Sequence, residues 1–272
     1  MDARDVSAFT RVFDAPSAGM TVHGAPQSDS RKETVAMKGL FSNGVKAVVL
    51  DLLPEFERSN NAAPAITWAS TNMLMDEIRK GATGDLAILT DEAIDDLIRQ
   101  GKMVAGSRVD LARSAIGIAV REGATKPDIG STAAFKQALL SARAISYSKT
   151  GISGVYFPTV LERLGIAAQV ASKVLIPPTG VPVGEVVAKG DAEIGVQQIS
   201  ELLPVPGIEI VGPLPAELQK VTVFSAGLFV GAPEPQVAKA LVALLTSPAS
   251  RPVYQRKGME PVGKNSTLDP SP

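Results

Sequence analysis

The chain has 272 residues, of which 45% are hydrophobic and none is cysteine, and its 27 Lys and Arg against 28 Asp and Glu give a formal net charge of −1. That much apolar material can fill one large core or two smaller ones. The near-neutral balance excludes the basic footprint that draws a protein to phosphate backbones, so no nucleic-acid partner is expected. Without cysteine there are no disulfides, thiol nucleophiles or thiolate metal sites, and the compartment is left undecided.

Residues Met1 to Lys32 are rich in Asp, Ser, Gly, Pro and Arg and contain no apolar run of the length a secretory signal needs. They are expected to form a disordered extension (1–32). No stretch of about 18 apolar residues appears anywhere, which speaks against a membrane span. From Glu33 the pattern becomes regular. Thr34 to Leu40 reads as a strand, Ser42-Asn43-Gly44 as a capped turn, and Val45, Val48, Val49, Leu52, Leu53 and Phe56 fall at helical spacing. Pro54 should kink that helix without ending it. A strand at Ala65 to Trp68 follows, then Ser70-Thr71-Asn72, a short helix to Lys80, a strand at Leu86 to Leu89, and a helix capped by Thr90 and closed by Gly101.

The centre continues with a strand at Ala115 to Val120, a helix after Ser131-Thr132, a strand at Ala144 to Tyr147 and a helix from about Gly154 to Leu164, stopped by Gly165. Lys173 to Ile176 and Ile194 to Gln197 read as strands around the helix Val183 to Lys189, and Thr222 to Val230 as a long β-rich run. The last helices are Glu234 to Leu245 and Pro248 to Lys257, before a flexible tail (264–272). Strands alternating with helices imply an α/β fold with parallel sheets.

In open α/β sheets, ligands settle beyond the carboxyl ends of the strands, where helix N-termini present unpaired N–H groups. Hydroxyl-rich turns stand at four such places: Ser42 and Asn43; Ser70, Thr71 and Asn72; Thr90; and Ser148-Lys149-Thr150-Gly151-Ile152-Ser153. Any one of them is explained by helix capping alone. Four together point to an anion site built from hydroxyls and N–H groups, which bind acceptor oxygens without the desolvation cost of many fixed charges. Lys149 is a cation for a ligand carboxylate or else a solvated side chain. Trp68 is read as core in preference to a cleft wall.

Several stretches resemble the substrate-binding proteins of molybdate ABC transporters. They are Phe41-Ser42-Asn43-Gly44 before Leu52-Leu53-Pro54-Glu55-Phe56-Glu57, Ala69-Ser70-Thr71-Asn72, Gly84-Asp85-Leu86-Ala87-Ile88-Leu89, Val187-Ala188-Lys189-Gly190-Asp191-Ala192-Glu193-Ile194-Gly195, and the closing Leu244 to Val262. The resemblance implies a type 2 periplasmic binding protein fold of two lobes, each a mostly parallel sheet flanked by helices, with hinge strands between. Lobe I would hold 33–112 and 223–263 and lobe II 113–222, with crossings near Arg113 and Thr222. It also implies a small oxyanion held by Ser42 and Ser70, no cofactor, a monomer, an ABC transporter permease as partner, and a periplasmic location; the absence of a visible export signal leaves the cytoplasm as the alternative. The family completes its anion shell with a tyrosine where this chain has Gln197 and Gln198, which suggests a larger ligand such as an organic carboxylate.

One branch similar to these proteins includes an aconitate isomerase, so a proton-transfer enzyme is the alternative to a carrier. Its acid–base groups would be Lys149 or Tyr147, with Asp85 also conceivable; His23, the single histidine, lies in the extension. Gly258 to Lys264 has phosphate-loop spacing, but Asn265 replaces the metal-binding hydroxyl and Pro261 lies inside, so no nucleotide site is expected. Asn265-Ser266-Thr267 fits a glycosylation sequon in the tail. Asp91, Glu92, Asp95 and Asp96 begin a helix, where acids favour the dipole and face water. With one histidine, a transition-metal site is not expected. A regulator's ligand domain would need a helix-turn-helix for which Met1 to Lys32 lacks the periodicity.

Overall fold

The computed structural model describes residues 35–262. The expectations for Met1 to Lys32, His23, the sequon and the tail lie outside the described residues. After the exposed Lys38, every residue of β1 (Lys38–Ser42) is buried, the pattern of a strand covered on both faces. A 3-10 turn at Asn43–Val45 leads into α1 (Lys46–Asn60), which buries Val48, Val49, Leu52 and Phe56. Pro54 lies inside α1, and Asn61 ends it in the left-handed conformation with φ 46°. The unit repeats as β2 (Ala65–Ala69), α2 (Thr71–Arg79), β3 (Leu86–Thr90) and α3 (Asp91–Arg99).

Two strands then follow with only Ala115 between them, β4 (Val109–Ser114) and β5 (Ile116–Arg121), and they belong to different sheets. The chain continues through α4 (Thr132–Ser141), β6 (Ile145–Tyr147), α5 (Ile152–Arg163), α6 (Ala167–Val170), β7 (Val174–Leu175), α7 (Val183–Lys189), β8 (Ile194–Gln198), α8 (Ile199–Leu202) and β9 (Ile208–Pro213). It returns to the first sheet with β10 (Thr222–Leu228), then α9 (Pro235–Leu245), α10 (Arg251–Arg256) and β11 (Glu260–Pro261).

The first sheet has the order β11-β4-β10-β3-β1-β2 and the second β7-β6-β8-β5-β9. β1 pairs parallel with β2 and β3, and β6 with β7 and β8, while β10, β4, β11, β5 and β9 enter antiparallel. The sheets are therefore mixed rather than mostly parallel, because the strands that carry the chain between lobes run back against the parallel set. Each sheet has its own core. Phe41, Phe56, Phe224 and Tyr254 pack on one face of the first and Leu74, Ile78, Leu89 and Ile94 on the other, while Ile118, Phe135, Phe157 and Val196 fill the second.

Sequence patterning placed the start of β1 too early and missed β4 and β9. β4 carries Asp110 and Arg113 in its interior, which hides its alternation. The structure accommodates Asp110 by hydrogen bonds from Ser225 Oγ at 2.7 Å and from Arg108 Nε at 2.8 Å. Burial opposes its ionisation, but Arg108 and Ser225 outweigh that and hold the carboxyl below its usual range. Arg108 also pairs with Asp95 and, at 3.8 Å, with Asp91. Two of the four acids of α3 thus tie the helix to β4 rather than only facing water.

The passage between the sheets is held by a compact polar knot. Ser114 Oγ lies 3.2 Å from Ser200 Oγ. In the amide orientation that satisfies both ends, Gln198 accepts from Thr222 Oγ1 at 2.7 Å and donates to Ala115 O at 3.1 Å. Gln219 brackets Ile116, accepting from its N–H at 3.0 Å and donating to its carbonyl at 2.9 Å.

Asp85 is a clamp between chain ends. Its buried carboxylate accepts from Lys38 N at 2.7 Å and Glu234 N at 2.6 Å, which accounts for it without a proton-transfer role. Asp85→Ala strips two N–H groups of a charged acceptor and should lower unfolding free energy by roughly 2–4 kcal/mol, read from the urea midpoint.

Candidate functional site

Strand register brings the candidate turns together. Ser42 at the end of β1 is level with Ala69 of β2, and Phe41 is level with Ile88 of β3. The turns opened by Ser42, Ser70 and Thr90 therefore leave three neighbouring strands at one edge of the first sheet. In the second sheet Tyr147 is level with Val196, so Ser148 and Gln197 end adjacent strands in the same way. A hydrogen bond from Asn72 Nδ2 to Thr150 O, 3.0 Å, joins the two rows. A cavity of about 380 Å³ takes Thr71, Asn72, Thr90 and Ile152 into its lining, but Met75, Asp76 and Arg79 of α2 and Glu92, Ala93 and Asp96 of α3 make up the rest, so it opens between those two helices and Ser42, Ser70, Ser148, Ser153 and Gln197 lie outside it.

Four of the candidate hydroxyls accept hydrogen bonds from nearby backbone N–H groups. Ser42 Oγ accepts from Gly44 N at 3.4 Å, Ser70 Oγ from Met73 N at 3.4 Å, Thr90 Oγ1 from Ala93 N at 3.3 Å, and Ser148 Oγ from Gly151 N at 3.2 Å. Each bond uses an oxygen lone pair, and a hydroxyl has a proton to donate besides. Among the described residues none of these four hydroxyls donates a hydrogen bond.

The remaining polar groups divide sharply. Thr71 Oγ1, Ser153 Oγ and Gln197 Oε1 are buried without a partner, as is Ser146 Oγ inside β6. Buried polar atoms are nearly always paired, so each such atom calls for an explanation. Gln198, by contrast, is engaged in the hinge knot. Lys149 is exposed and makes no ion pair among the described residues, and Thr150 contributes its carbonyl. Asn43 is half-buried beside Ser42. Tyr147 packs its ring edge against Phe157, centroids 5.3 Å apart, and burial pushes its phenol up, the wrong direction for a base. Trp68 packs its ring edge on Phe41 at 5.6 Å, with Lys46 Nζ above it at 5.8 Å.

Sequence reasoning missed Glu201. It lies in α8, directly after β8. Burial pushes its carboxyl up to about 7, and the neighbouring Gln197 side chain only partly opposes this. A lone acid in a four-residue helix carries no signal of this kind, because the shift comes from packing between distant segments.

Two mixed sheets joined by crossing strands, with hydroxyl-lined helix starts on the facing edges, define a two-lobed solute-binding protein. The chain belongs to the bacterial extracellular solute-binding proteins, whose family model matches residues 39–260. It is 35% identical over 230 residues to an aconitate isomerase from Pseudomonas sp, covering 82% of this chain and 87% of that protein. Among solved structures it is similar to the periplasmic molybdate-binding protein of Azotobacter vinelandii, with TM-score 0.65, 18% identity, and 82% of this chain and 98% of that one covered. It is also similar to the substrate-binding domain of a putative molybdenum ABC transporter from Clostridium difficile, with TM-score 0.63, 16% identity, and 84% and 100% covered.

The loop from Ser148 to Gly154 depends on its glycines. A Cβ at Gly154 would stand 1.7 Å from Ser148 O, and one at Gly151 2.4 Å from Ser148 Oγ. Gly154→Ala must push the backbone of Ser148 away, with an expected loss of about 1–3 kcal/mol by analogy with overpacking. A lower melting temperature checks this; an unchanged one would show that the loop yields freely.

Proposed function

We propose that this protein captures a small organic carboxylate between the two rows of helix starts, with hydroxyl and amide groups as the main donors. The observation that carries the reading is the set of buried, unpartnered atoms Thr71 Oγ1, Ser153 Oγ and Gln197 Oε1, together with the hydroxyls of the caps Ser42, Ser70 and Thr90 and of Ser148, which accept hydrogen bonds and donate none within the described residues. Acceptor oxygens of a carboxylate satisfy the hydroxyls, and a ligand hydroxyl or protonated carboxyl satisfies Gln197 Oε1. Ser42, Asn43, Ser70, Thr71, Asn72 and Thr90 would serve one side, and Ser148, Lys149, Thr150, Ser153 and Gln197 the other. The Gln198 side chain would hold the hinge instead. The lobes would follow the sheets, with 33–112 and 223–263 in one and 113–222 in the other. Delivery to an ABC transporter permease from the periplasm is the physiological role that fits the family.

Thr71→Val tests the assignment cleanly. It replaces a buried unpaired hydroxyl by a methyl of nearly the same shape, so stability should hold or rise slightly, since no hydrogen bond within the chain is lost. Affinity should fall by about 1.5–3 kcal/mol if the hydroxyl donates to a carboxylate. The measurement is a thermal-shift screen of di- and tricarboxylates, molybdate, sulfate and phosphate, followed by calorimetry on the best ligand. Equal affinity in both proteins would remove Thr71 from the site.

A second reading, isomerisation of the bound carboxylate, is favoured by the 35% identity to an aconitate isomerase along most of both chains. Moving a double bond requires a proton to leave one carbon and return at another, so the ligand should take up deuterium from heavy water. trans-Aconitate recovered without deuterium and without its isomer after long incubation would leave capture as the whole function.

A further inference from the structure

We propose that the buried bond between Thr222 and Gln198, with its neighbour between Ser114 and Ser200, is a brake on the turning of one sheet against the other. It sets how much of the protein already holds its two rows of helix starts together before a solute arrives. Among the described residues the chain passes between the sheets twice, from β4 to β5 and from β9 to β10. Hydrogen bonds fix where each passage is free to turn. In the first, Ser114 is level with Thr222 in the first sheet and Ile116 with Gln198 in the second, so Ala115 alone lies between. In the second, Leu214 and Leu218 are buried in the second core, and Leu214 N donates to Ile116 O at 3.1 Å. Tyr156 Oη donates to Leu218 O at 3.1 Å and Arg163 Nη2 to Glu217 O at 2.7 Å. That leaves Gln219, Lys220 and the half-exposed Val221 before β10. The Gln219 amide exchanges two bonds with Ile116, as a neighbouring strand would. The two turning points are thereby held side by side and act as one axis.

Two kinds of contact cross that axis. α8 follows β8 of the second sheet, yet it packs on α1 and on the 3-10 turn Asn43–Val45, which follow β1 of the first. Ile199 and Leu203 lie so close over Gly258 that a Cβ there would stand 2.6 and 2.5 Å from them. Apolar contact has no preferred direction and tolerates small sliding, so this face serves as the bearing. Hydrogen bonds weaken steeply once bent or stretched, so they resist. Gln198 accepts from Thr222 Oγ1 at 2.7 Å, and Ser114 Oγ lies 3.2 Å from Ser200 Oγ. Each pair joins a residue of the first sheet to one at or just beyond the end of β8. All four residues are buried, so a turn that parts them leaves polar atoms unpaired until water enters. Lys220 and Glu92 also pair across the axis, but at 3.9 Å and in solvent they offer little resistance. The arrangement held in this way is the one in which Asn72 Nδ2 reaches Thr150 O, with the rows in contact. The brake acts without a ligand, and so goes beyond the carboxylate reading.

The chain has no cysteine, so spin labels at Glu77→Cys in α2 and Glu162→Cys in α5, both exposed positions, report the separation of the two helices without background. The labelled full chain is the parent. Three further changes are compared in it: Thr222→Val, which keeps the branched shape and deletes the hydroxyl, Thr222→Ser, which keeps the hydroxyl, and Ser200→Ala, which removes the other bond. Without ligand, Thr222→Val and Ser200→Ala should each extend the distance distribution towards longer separations, and Thr222→Ser should match the parent. With trans-aconitate as probe, the affinity of Thr222→Val should fall by up to about fivefold, the factor that one neutral hydrogen bond is worth. Saturation should then return its distribution to that of the parent. Ligand-free distributions that are the same in the parent, Thr222→Val and Ser200→Ala overturn the proposal, and so does an equal shift in Thr222→Ser. A ligand-free shift in Thr222→Val and Ser200→Ala, with no response of any of the proteins to trans-aconitate, upholds the brake and counts against the carboxylate reading alone.

Discussion

Everything at the site depends on the parallel pairing of β1 with β2 and β3, and of β6 with β8. Parallel strands that are level in register end together, and each then hands the chain to a helix whose first N–H groups need acceptors. A serine or threonine at the last strand position meets that need with an oxygen lone pair. Ser42, Ser70 and Thr90 all do so at the first sheet, while at the second sheet Ser148 Oγ accepts from the N–H of Gly151, the residue that precedes α5. Capping fixes where the oxygens are and thereby where the protons can go. The site is in this sense a by-product of finishing helices correctly at the same level.

The antiparallel strands have the other task. β4, β5 and β10 carry the chain between the sheets, and the knot of Ser114, Gln198, Ser200 and Thr222 is buried where they do so. Buried polar groups that are all satisfied specify geometry more than they add stability. Gln197 and Gln198 make the contrast within one strand: the first leaves an oxygen unpaired, the second is saturated.

Most of this fold was legible from periodicity and caps. α7 and the strand before Ser70 fall where the apolar spacing puts them, and the N-caps Ser70, Thr90 and Ser131 act as their residue types suggest. β4 was not legible, because Asp110 and Arg113 interrupt its pattern and are compensated by Arg108 and by residues far along the chain. β9 is an edge strand whose residues are all at least partly exposed, and such strands carry weak alternation. The candidate hydroxyls were visible as residue types at turns, but their division into spent lone pairs and unspent protons was not. Glu201 and the orphaned atoms of Thr71 and Ser153 exist only as consequences of tertiary packing, which no local pattern encodes.

The bond between Asn72 and Thr150 links side chain to backbone across the two rows with no ligand taking part. A net contribution of about 1 kcal/mol multiplies the population of the joined arrangement about fivefold. If solute passes between the rows, that bond must break for entry as well as for escape. In the capture reading the bond would slow exchange in both directions, and a shorter or longer side chain at position 72 would change how readily the two rows part.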